Sequence, residues 1–328
     1  MILAAGFGER LRPVTEKIPK PLLPLLDRPL VDRALDSLAA AGVAEVIINL
    51  HHGADLLRER LGTRRRGVNL HYSFEPVIMG PVGAIKKAEG FFEGRTFIVV
   101  NGDVLTDLDP AQIVDAHRRS GAALTLAVVP PPPGMEALAA IAYDGGSIVR
   151  SVWGEPAGGL SLGVNAGVYV YEPRVLEHVP PGAFFGFAPD LTSALFSAGE
   201  KIAAFVHGGY WNDLGTPDRY LQAHRDVLEN RAHLPPDEGL TVRGGSVHRG
   251  ESRVAPGATV RPPCYFGEGC DVESGAEIGP FAVLGAGCRV GTGARAADAV
   301  VFPGVNLPPG SSFVGTIVHE TPVFPGTQ

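Results

Sequence analysis

The chain has 328 residues, of which 45% are hydrophobic and 19% are charged, a composition that excludes intrinsic disorder and allows more than one buried core. A net charge of −7 argues against nucleic acid as a partner, because a phosphate backbone is bound by clustered Lys and Arg. No apolar run approaches the roughly 20 residues that a membrane helix needs, and the apolar start lacks the basic region of a signal peptide, so we expect neither membrane contact nor secretion.

The first predicted strand, Met1–Ala5, runs into a loop that contains two glycines. Gly6 and Gly8 let backbone N–H groups approach a phosphate closely, and Arg10 follows them. Lys20 lies between two prolines, which fix the backbone and so aim its ammonium group. Cations held in this way stabilise the charge on a phosphate that is being transferred.

Residues 1 to about 230 alternate segments typical of strands with segments typical of helices. Val43–Leu50, Thr96–Val100 and Leu124–Val129 are apolar and rich in β-branched residues, as buried parallel strands are. Leu30–Ala39 has apolar residues at helical spacing, and Gly42 after it is a suitable C-cap. This alternation predicts an α/β domain with a Rossmann-like, mostly parallel sheet and a ligand site at the carboxyl ends of its strands.

The second of these strands continues into Asn101, Gly102 and Asp103, which places a carboxylate where the ligand should lie. Mg²⁺ prefers one or two carboxylates together with phosphate oxygens and water. An Asp at the end of a strand is also a common turn former or helix cap, and we interpret Asp107 and Asp109 in that way.

From about residue 242 the sequence follows a period of six, with a large apolar residue in one phase and a small residue four positions later. A hexapeptide repeat of this kind predicts a parallel β-helix, in which each unit forms one side of a triangular coil and the large residue fills the interior. Thirteen units from 242 to 319 give a little over four coils, and His248 interrupts the apolar series. The large positions are Val242, Val254, Val260, Phe266, Val272, Ile278, Leu284, Val290, Ala296, Phe302, Pro308 and Val314.

All three cysteines, Cys264, Cys270 and Cys288, fall on the small position of the repeat. We interpret them as small buried apolar side chains, because no CxxC spacing supports a metal or redox role. Three cysteines in a chain of this length are typical of a reducing compartment, so we expect the protein in the cytoplasm.

The stretch LAAGFGERLRPVTEKIPKPLLP, from Leu3 to Pro24, resembles the signature loop of the nucleotidyltransferase family that makes nucleotide-sugars. That family has the pattern L-A/G-x-G-x-G-T/E-R-L/M-x-P-x-T, followed by P-K-P. The resemblance implies an enzyme that joins an NTP to a sugar 1-phosphate and releases pyrophosphate. It also implies that Arg10 binds the leaving β- and γ-phosphates and that Lys20 holds the phosphates at the reacting centre. Residues assigned to the nucleotide in this stretch are Leu3, Ala4, Ala5, Gly6 and Gly8.

The segment WNDLGTPDRY, which begins at Trp211, resembles the W-x-D-x-G-T-P-x-x-Y/L block of the same family, which carries a metal-binding Asp. The resemblance implies that Asp103 and Asp213 form the Mg²⁺ pair. The ion would bridge the sugar phosphate and the α-phosphate of the NTP and orient an in-line attack.

The segment FEPVIMGPVGAI stands where the family has an L-G-T-A-G-A-L/I block whose backbone reads the nucleobase. Glu75, Gly80 and Gly83 are therefore assigned to the nucleotide, as is Gly102 at the end of its strand. Pro81 replaces the usual Thr and removes a backbone donor, so the sequence leaves the base open.

The segment GVNAGVY, which begins at Gly163, resembles the family's N-x-G-x-Y strand, whose Asn binds sugar hydroxyls. Asn165 and Gly167 are assigned to the sugar on that basis, together with Asn101. The family often has E-K-P upstream, with a Lys that reaches the sugar phosphate, whereas this chain has G-E-P. Glu155 is assigned to the sugar, although its carboxylate cannot replace that cation.

The resemblance covers the whole chain, with a catalytic domain over 1–230, a linker over 231–241 and a left-handed β-helix of hexapeptide repeats over 242–328. Mannose-1-phosphate guanylyltransferases with this layout fit best, which favours GTP as the NTP and a homo-oligomer as the assembly. Uridylyl or thymidylyl transfer to another sugar 1-phosphate stays open, as does guanylyl transfer to a heptose 1-phosphate.

Two alternatives come from other functional classes. The first is a non-catalytic nucleotide-sugar sensor on the same fold, and the presence of all four predicted catalytic side chains argues against it. The second is an acyltransferase activity in the β-helix, which generally needs a catalytic His and an extended loop. His248 and His319 lie at the ends of the repeats and no long insertion interrupts them, so we expect a structural role.

Overall fold

The computed structural model describes residues 1–131, 136–152, 158–234, 237–319 and 322–323. Its contacts divide these residues into two units. Unit 1 comprises Met1–Gly6, Val31–Val104 and Leu108–Trp211, and unit 2 comprises Phe7–Leu30, Leu105–Asp107 and the described part of Asn212–Gln328. No helix among the described residues has both the length and the hydropathy to cross a membrane.

The helices and strands are numbered here in chain order. Helices α1 to α8 are Val14–Lys17, Leu30–Ala40, Ala54–Leu61, Gly80–Lys87, Glu89–Phe92, Pro110–Ser120, Thr192–Ser197 and Pro217–Leu228. Short 3₁₀ turns are Glu9–Leu11, Lys20–Leu22, Glu136–Leu138 and Pro173–His178. Strands β1 to β14 are Ile2–Leu3, Pro24–Leu25, Arg28–Pro29, Glu45–Leu50, Arg64–Arg65, Val68–Phe74, Phe97–Asn101, Leu105–Thr106, Leu124–Val129, Ile141–Tyr143, Val149–Val152, Ser161–Tyr171, Ile202–Val206 and Trp211–Asn212. Strands β15 to β27 are Leu240–Arg243, Ser246–Arg249, Arg253–Val254, Thr259–Val260, Tyr265–Phe266, Asp271–Val272, Glu277–Ile278, Val283–Leu284, Arg289–Val290, Arg295–Val301, Asn306–Leu307, Ser312–Val318 and Pro322–Val323.

Unit 1 is built on a mixed sheet, and the predicted α/β fold is confirmed. Strand β1 lies between β4 and β7 and runs parallel to both, and β6 joins β4 in the same direction. The long strand β12 runs antiparallel between β7 and β9, and β13 pairs parallel with β9. The strands β7, β1, β4 and β6 are therefore parallel to one another, the edge strand β5 runs antiparallel to β6, and the sheet changes direction at β12.

The local sequence explains where these elements begin and end. The predicted strand over Leu124–Val129 is present with the same bounds, and all six of its residues are buried. Helix α6 begins after Asp109, whose side chain accepts a hydrogen bond from the Ala111 N–H at 2.9 Å, as expected of a helix cap. It ends at Gly121, which has a φ of +64°.

The core of unit 1 fills the space between its sheet and helix α4. Val82 and Ile85 of α4 pack with Val99, Leu124 and Leu126 of the sheet, and all five side chains are fully buried. Burial of an aliphatic side chain of this size stabilises the fold by about 1.5–3 kcal/mol, so this cluster fixes α4 on the sheet.

Unit 2 contains the hexapeptide region, whose short strands stack in parallel with partners 18 residues away. Val254 pairs with Val272, which pairs with Val290, and Phe266 pairs with Leu284. The interior residues from Phe266 to Ala296 are buried as the repeat predicts. Three six-residue sides per coil account for this spacing.

The predicted phase of the repeat is wrong after Ala296. Leu284 pairs with Val301 and not with Phe302, so the spacing falls from 18 to 17 residues. The reason is that a corner of three residues, 297–299, separates the two paired stretches of β24, whereas four residues, 279–282, separate the corresponding strands of the previous coil. As a result, Leu307 and not Pro308 takes the next interior position.

Asp298 sits at this shortened corner with a φ of +50°. Its N–H donates to the Pro280 main-chain oxygen of the previous coil at 2.7 Å, and its carboxylate forms an ion pair with Arg225 of α8. Phe302 remains buried because its ring packs against Tyr220 of α8 and against His319. The corner therefore joins α8 to the coils.

The start of the repeat also differs from the prediction. Val242 is 74% exposed because β15 forms an antiparallel hairpin with β16 and no coil encloses it. His248 takes the first interior position, where its buried ring stacks on Phe266 with centroids 4.7 Å apart. The break in the apolar series is thus filled by an aromatic ring.

Glycines follow the large residues of the coils where the neighbouring coil leaves no room for a side chain. A Cβ on Gly279 would lie 2.0 Å from the Arg261 main-chain oxygen, and one on Gly285 would lie 2.6 Å from the Pro303 nitrogen. By contrast, a Cβ on Gly287 would meet nothing within 4 Å. The backbone φ of +69° at Gly287 explains why this position is a glycine.

The three cysteines are buried, as the repeat predicts, and each is a free thiol. Burial raises the pKa of the Cys270 thiol to about 11 and that of Cys288 to about 12. Both thiols are therefore protonated at neutral pH and pack as small apolar groups.

Ion pairs hold the segment Phe7–Leu30 to the C-terminal part of unit 2. Arg28 pairs with Asp237, whose side chain is only 4% exposed, and Asp27 pairs with Arg249 of β16. Two successive residues of the N-terminal segment are thus fixed by charges more than 200 positions later in the chain.

Candidate active site

The carboxyl ends of β1 and β7 lie side by side in unit 1. Leu3 is in register with Asn101, and the Gly102 N–H donates to the Leu3 main-chain oxygen at 2.8 Å. A Cβ on Gly102 would lie 3.0 Å from that oxygen, so the close approach of the two strands favours glycine. Asp103 follows directly and is half-buried at this edge.

Three residues that the sequence assigns to the sugar, Asn101, Asn165 and Gly167, come together at the same edge. The Gly167 N–H donates to Asn165 Oδ1 at 3.0 Å. Gly167 has a φ of +75°, and a Cβ there would lie 2.8 Å from Asn101 Nδ2. The two amide side chains therefore flank a backbone that only glycine allows.

Tyr169 organises these amides, and the sequence reasoning missed it. Its ring is buried and its hydroxyl hydrogen-bonds the side chains of Asn165 and Asn101. Burial raises the pKa of Tyr169 to about 12, and the nearby charge of Asp103 acts in the same direction. The hydroxyl is therefore neutral at physiological pH. The Tyr of the N-x-G-x-Y pattern was the signal that could have identified it.

Glu75 is 1% exposed, and both of its carboxylate oxygens accept hydrogen bonds from the protein. Asn49 Nδ2 donates to Oε1 at 2.7 Å, and the Met79 N–H donates to Oε2 at 2.9 Å. His51 lies beside this group, with Nδ1 2.7 Å from the Glu75 main-chain oxygen. Glu75 is thus fixed within the segment that connects β6 to α4.

Gly80 and Gly83 are required by packing within unit 1. Cβ atoms at these positions would lie 2.7 Å from the main-chain oxygens of Phe185 and Ala183 respectively. The Gly83 N–H and the Val82 N–H both donate to the Phe185 oxygen at 3.1 Å. The backbone around Phe185 therefore covers the first turn of α4, which the sequence did not indicate.

The glycine loop of unit 2 is closed by a threonine. Gly8 has a φ of +64°, and Thr15 Oγ1 donates to its main-chain oxygen at 2.9 Å. A Cβ on Gly8 would lie 2.9 Å from Thr15 Cγ2. Both the backbone angle and the close contact therefore select glycine at this position.

Unit 2 brings the two predicted catalytic cations to the loop that carries Asp213. Lys20 is only 7% exposed, and its ammonium group donates to the Asp213 main-chain oxygen at 3.1 Å. The exposed residue Arg10 places its guanidinium against Gly215, where a Cβ would lie 2.6 Å from Nη2. Residues of two motifs that are far apart in the sequence therefore lie together in this unit.

Arg219 is a further charged residue here that the sequence reasoning did not single out. Its guanidinium forms an ion pair with Asp213 Oδ1, and the Gly215 N–H lies 3.3 Å from the same oxygen. Arg219 is on the first turns of α8, which Thr216 caps by accepting from the Arg219 N–H. The cap therefore sets the position of the arginine that orients Asp213.

The chemistry of Asp103 and Asp213 fits Mg²⁺, since carboxylate oxygens are ligands that this ion prefers. Asp103 lies in unit 1, and Asp213 lies in unit 2, where it already shares its charge with Arg219. Within the described residues, no group of three or more His, Cys, Asp and Glu is placed to hold a metal ion. Glu155, assigned to the sugar, lies outside the described residues.

Comparison with known proteins gives a consistent result. Residues 1–230 match the family described as Nucleotidyl transferase. A UTP–glucose-1-phosphate uridylyltransferase of Synechocystis is 31% identical over 97% of this chain and 86% of its own length. A mannose-1-phosphate guanylyltransferase of Mycobacterium tuberculosis is 32% identical over 80% of this chain and 71% of its own.

About two thirds of the chain also resembles a solved structure. HddC from Yersinia pseudotuberculosis, crystallised with GMP-PN, aligns with a TM-score of 0.58 and 27% identity. The alignment covers 69% of this chain and 97% of HddC.

Proposed function

Because this chain belongs to the nucleotidyl transferase family and is therefore an enzyme, we propose that it transfers a nucleotidyl group from GTP to mannose 1-phosphate. A phosphate oxygen of the sugar 1-phosphate attacks the α-phosphorus of the NTP. The bond from that phosphorus to the oxygen of the β-phosphate breaks, so that pyrophosphate leaves and GDP-mannose forms. No covalent bond to the enzyme is involved.

The observation that carries this proposal is the hydrogen bond between Lys20 Nζ and the Asp213 main-chain oxygen, which joins positions 193 residues apart. Both positions belong to the motifs that resemble nucleotide-sugar enzymes. A fixed ammonium group offsets the negative charge that develops as pyrophosphate leaves. Arg10, against Gly215 in the same unit, supplies an exposed guanidinium for the β- and γ-phosphates.

We assign Mg²⁺ to Asp103 and Asp213 together. When bound, the ion would supply positive charge that reduces the repulsion between the two phosphate groups. The protein's contribution is to orient the two carboxylates. Gly102 lets the strand that precedes Asp103 approach its neighbour, and Arg219 fixes one oxygen of Asp213.

The substrate assignments made from the sequence are kept in this proposal. The nucleotide is assigned to Leu3, Ala4, Ala5, Gly6, Gly8, Glu75, Gly80, Gly83 and Gly102, and the sugar to Asn101, Glu155, Asn165 and Gly167. Tyr169 supports the sugar assignment, because its neutral hydroxyl hydrogen-bonds the amide side chains of Asn101 and Asn165 and so holds both in place.

UTP with glucose 1-phosphate is the second candidate pair. The Synechocystis relative that carries this name matches 97% of the chain, which includes the C-terminal coils. Pro81, which offers no backbone N–H on the base side, bears equally on both bases.

The decisive experiment is a matrix of five NTPs against a panel of sugar 1-phosphates with Mg²⁺, scored by product mass and by pyrophosphate release. We expect the highest kcat/KM with GTP and mannose 1-phosphate. A preference for UTP and glucose 1-phosphate would select the second candidate. No nucleotide-sugar from any pair would overturn the proposed function in favour of a binding or sensor role.

Three further assignments belong to the same proposal. We place the reaction in the cytoplasm, assign the stacked coils to a left-handed β-helix, and expect a homo-oligomer in solution. The coils are given a structural role, since the ring of His248 is buried against Phe266 and is not presented as a catalytic base. Sedimentation analysis of the full chain would measure the assembly.

A further inference from the structure

A buried Asn–Glu pair lies at the carboxyl ends of β4 and β6 in unit 1. Asn49 is 4% exposed and Glu75 is 1% exposed, and their side chains are joined by a hydrogen bond of 2.7 Å from Asn49 Nδ2 to Glu75 Oε1. Buried polar groups of this kind are costly unless each finds a partner. Their remaining hydrogen bonds therefore show what the pair does.

The other end of Asn49 holds the strand that leads into the glycine loop. The β1–β4 ladder ends with Leu3 opposite Asn49. The next N–H, that of Ala4, donates to Asn49 Oδ1 at 2.7 Å. A side chain thus continues the ladder for one more step, where the backbone of β1 leaves the sheet.

The second carboxylate oxygen of Glu75 holds the segment that leads into α4. Its Oε2 accepts from the Met79 N–H at 2.9 Å, directly before α4 begins at Gly80. Three hydrogen bonds therefore run from Ala4 through Asn49 and Glu75 to Met79. They link the two backbone segments that the proposed function assigns to the nucleotide.

We propose that Asn49 and Glu75 are positioning residues that set the separation between the end of β1 and the start of α4, and that they act on the NTP through the backbones of Ala4 and Met79. This inference rests on the proposed function, because it concerns the nucleotide of that reaction. It assigns Glu75 an indirect role, since both of its oxygens are occupied by protein donors.

The pair permits a test in which donor and acceptor are exchanged. Asn49→Asp places two carboxylates against each other, and Glu75→Gln places an amide NH₂ group against a donor. In the double variant the carboxylate at position 49 accepts from the Ala4 N–H and from the new amide at position 75, while the oxygen of that amide accepts from the Met79 N–H. All three hydrogen bonds are then restored with one direction reversed.

We expect each single variant to raise the KM for the NTP by about tenfold, the factor that corresponds to 1.4 kcal/mol. The KM for the sugar 1-phosphate should change by less than about twofold, because its assigned amides are not part of this chain of bonds. The double variant should return the KM for the NTP to within about threefold of the wild type.

Glu45 and Asn69 offer a matched control at the other ends of the same two strands. They are in register, and Asn69 Nδ2 donates to Glu45 Oε1 at the same 2.7 Å. This pair is exposed and lies at the amino ends of β4 and β6, whereas Asn49 and Glu75 lie at their carboxyl ends. The exchange Glu45→Gln with Asn69→Asp should leave both KM values unchanged.

Two results would overturn the inference: single variants with an unchanged KM for the NTP, or a folded double variant no better than either single variant. If Asn49→Asp does not fold, Asn49→Ala replaces it, since it removes both bonds without adding charge, and the same KM difference is expected. If the wild type shows no turnover, the proposed function fails, and GTP affinities of the same variants, measured by calorimetry, still test the positioning role.

Discussion

At the scale of single residues, neighbours determine what each predicted side chain does. Lys20 and Arg10 were recognised from short motifs, and the structure places them beside the Asp213 loop of unit 2. Asn49 and Tyr169 were missed, because their roles depend on partners 26 and 68 positions away in the chain. Short motifs thus drew attention to Lys20 and Arg10, whereas residues that hold other residues in place carried no comparable signal.

Asp103 provides the most direct test of the metal assignment. Asp103→Asn should lower kcat by about a hundredfold or more, because it removes one of two carboxylates that would bind Mg²⁺. Asp109→Asn is a suitable control, since Asn caps α6 as well as Asp does. Turnover rates and circular dichroism of both variants are the measurements, and a near wild-type rate for Asp103→Asn would refute the assignment.

His224 makes the stability of the protein depend on pH. Burial lowers the pKa of this residue on α8 to about 4, whereas in the unfolded chain it is about 6.5. Between these values only the unfolded chain binds the proton, so the free energy of unfolding should fall by about 3 kcal/mol as the pH drops from 6.5 to 4.

Urea unfolding at several pH values would measure this effect. His224→Gln cannot gain a proton, so its stability should vary less than that of the wild type across this window. An identical pH dependence in the two proteins would show that other groups cause the loss of stability.

At the scale of elements, the sequence predicted buried runs well and connections less well. Leu124–Val129 and the interior positions of the coils from Phe266 to Ala296 were predicted from hydrophobic pattern alone. The shortened corner at 297–299 was missed because Val300, Val301 and Phe302 are all apolar, so a shift of one residue leaves no mark in the pattern. Only pairing with the preceding coil shows which of them faces the interior.

Two coil glycines allow the cost of a steric clash to be distinguished from the cost of a positive φ. Gly279→Ala should lower the free energy of unfolding by about 3 kcal/mol or more, because its Cβ would overlap the Arg261 main-chain oxygen. Gly287→Ala adds a Cβ in open space at a similar positive φ and should cost about 1 kcal/mol. Equal losses in chemical denaturation would contradict the packing argument.

At the scale of the whole molecule, chain order and spatial grouping differ. Phe7–Leu30 lies early in the sequence and within the matched family range, but its contacts place it in the unit that contains the C-terminal coils. The sequence of this segment does not predict which residues it contacts, because ion pairs such as Arg28–Asp237 join positions that are distant in the chain. The segment that carries Lys20 therefore depends on residues at the other end of the chain.

Asp237 tests this dependence. Asp237→Asn removes the carboxylate from a buried ion pair with Arg28 and should lower the free energy of unfolding by about 3 kcal/mol. Asp115→Asn, which removes the partner of Arg118 in an exposed pair, should cost less than about 1 kcal/mol. Equal stability of the two variants would show that the buried pair contributes little.

The stacking of each coil on the one before it also limits how this region can change in length. A residue inserted within one of the paired strands would have no partner in the preceding coil, whereas gain or loss of a complete turn would leave all remaining pairs intact. The three-residue corner at Asp298 is repeated in the next coil, where Val301 again finds its partner 17 positions on, at Val318. We therefore expect natural variation in this region to occur in whole turns, with any shortened corner inherited by each turn that follows it.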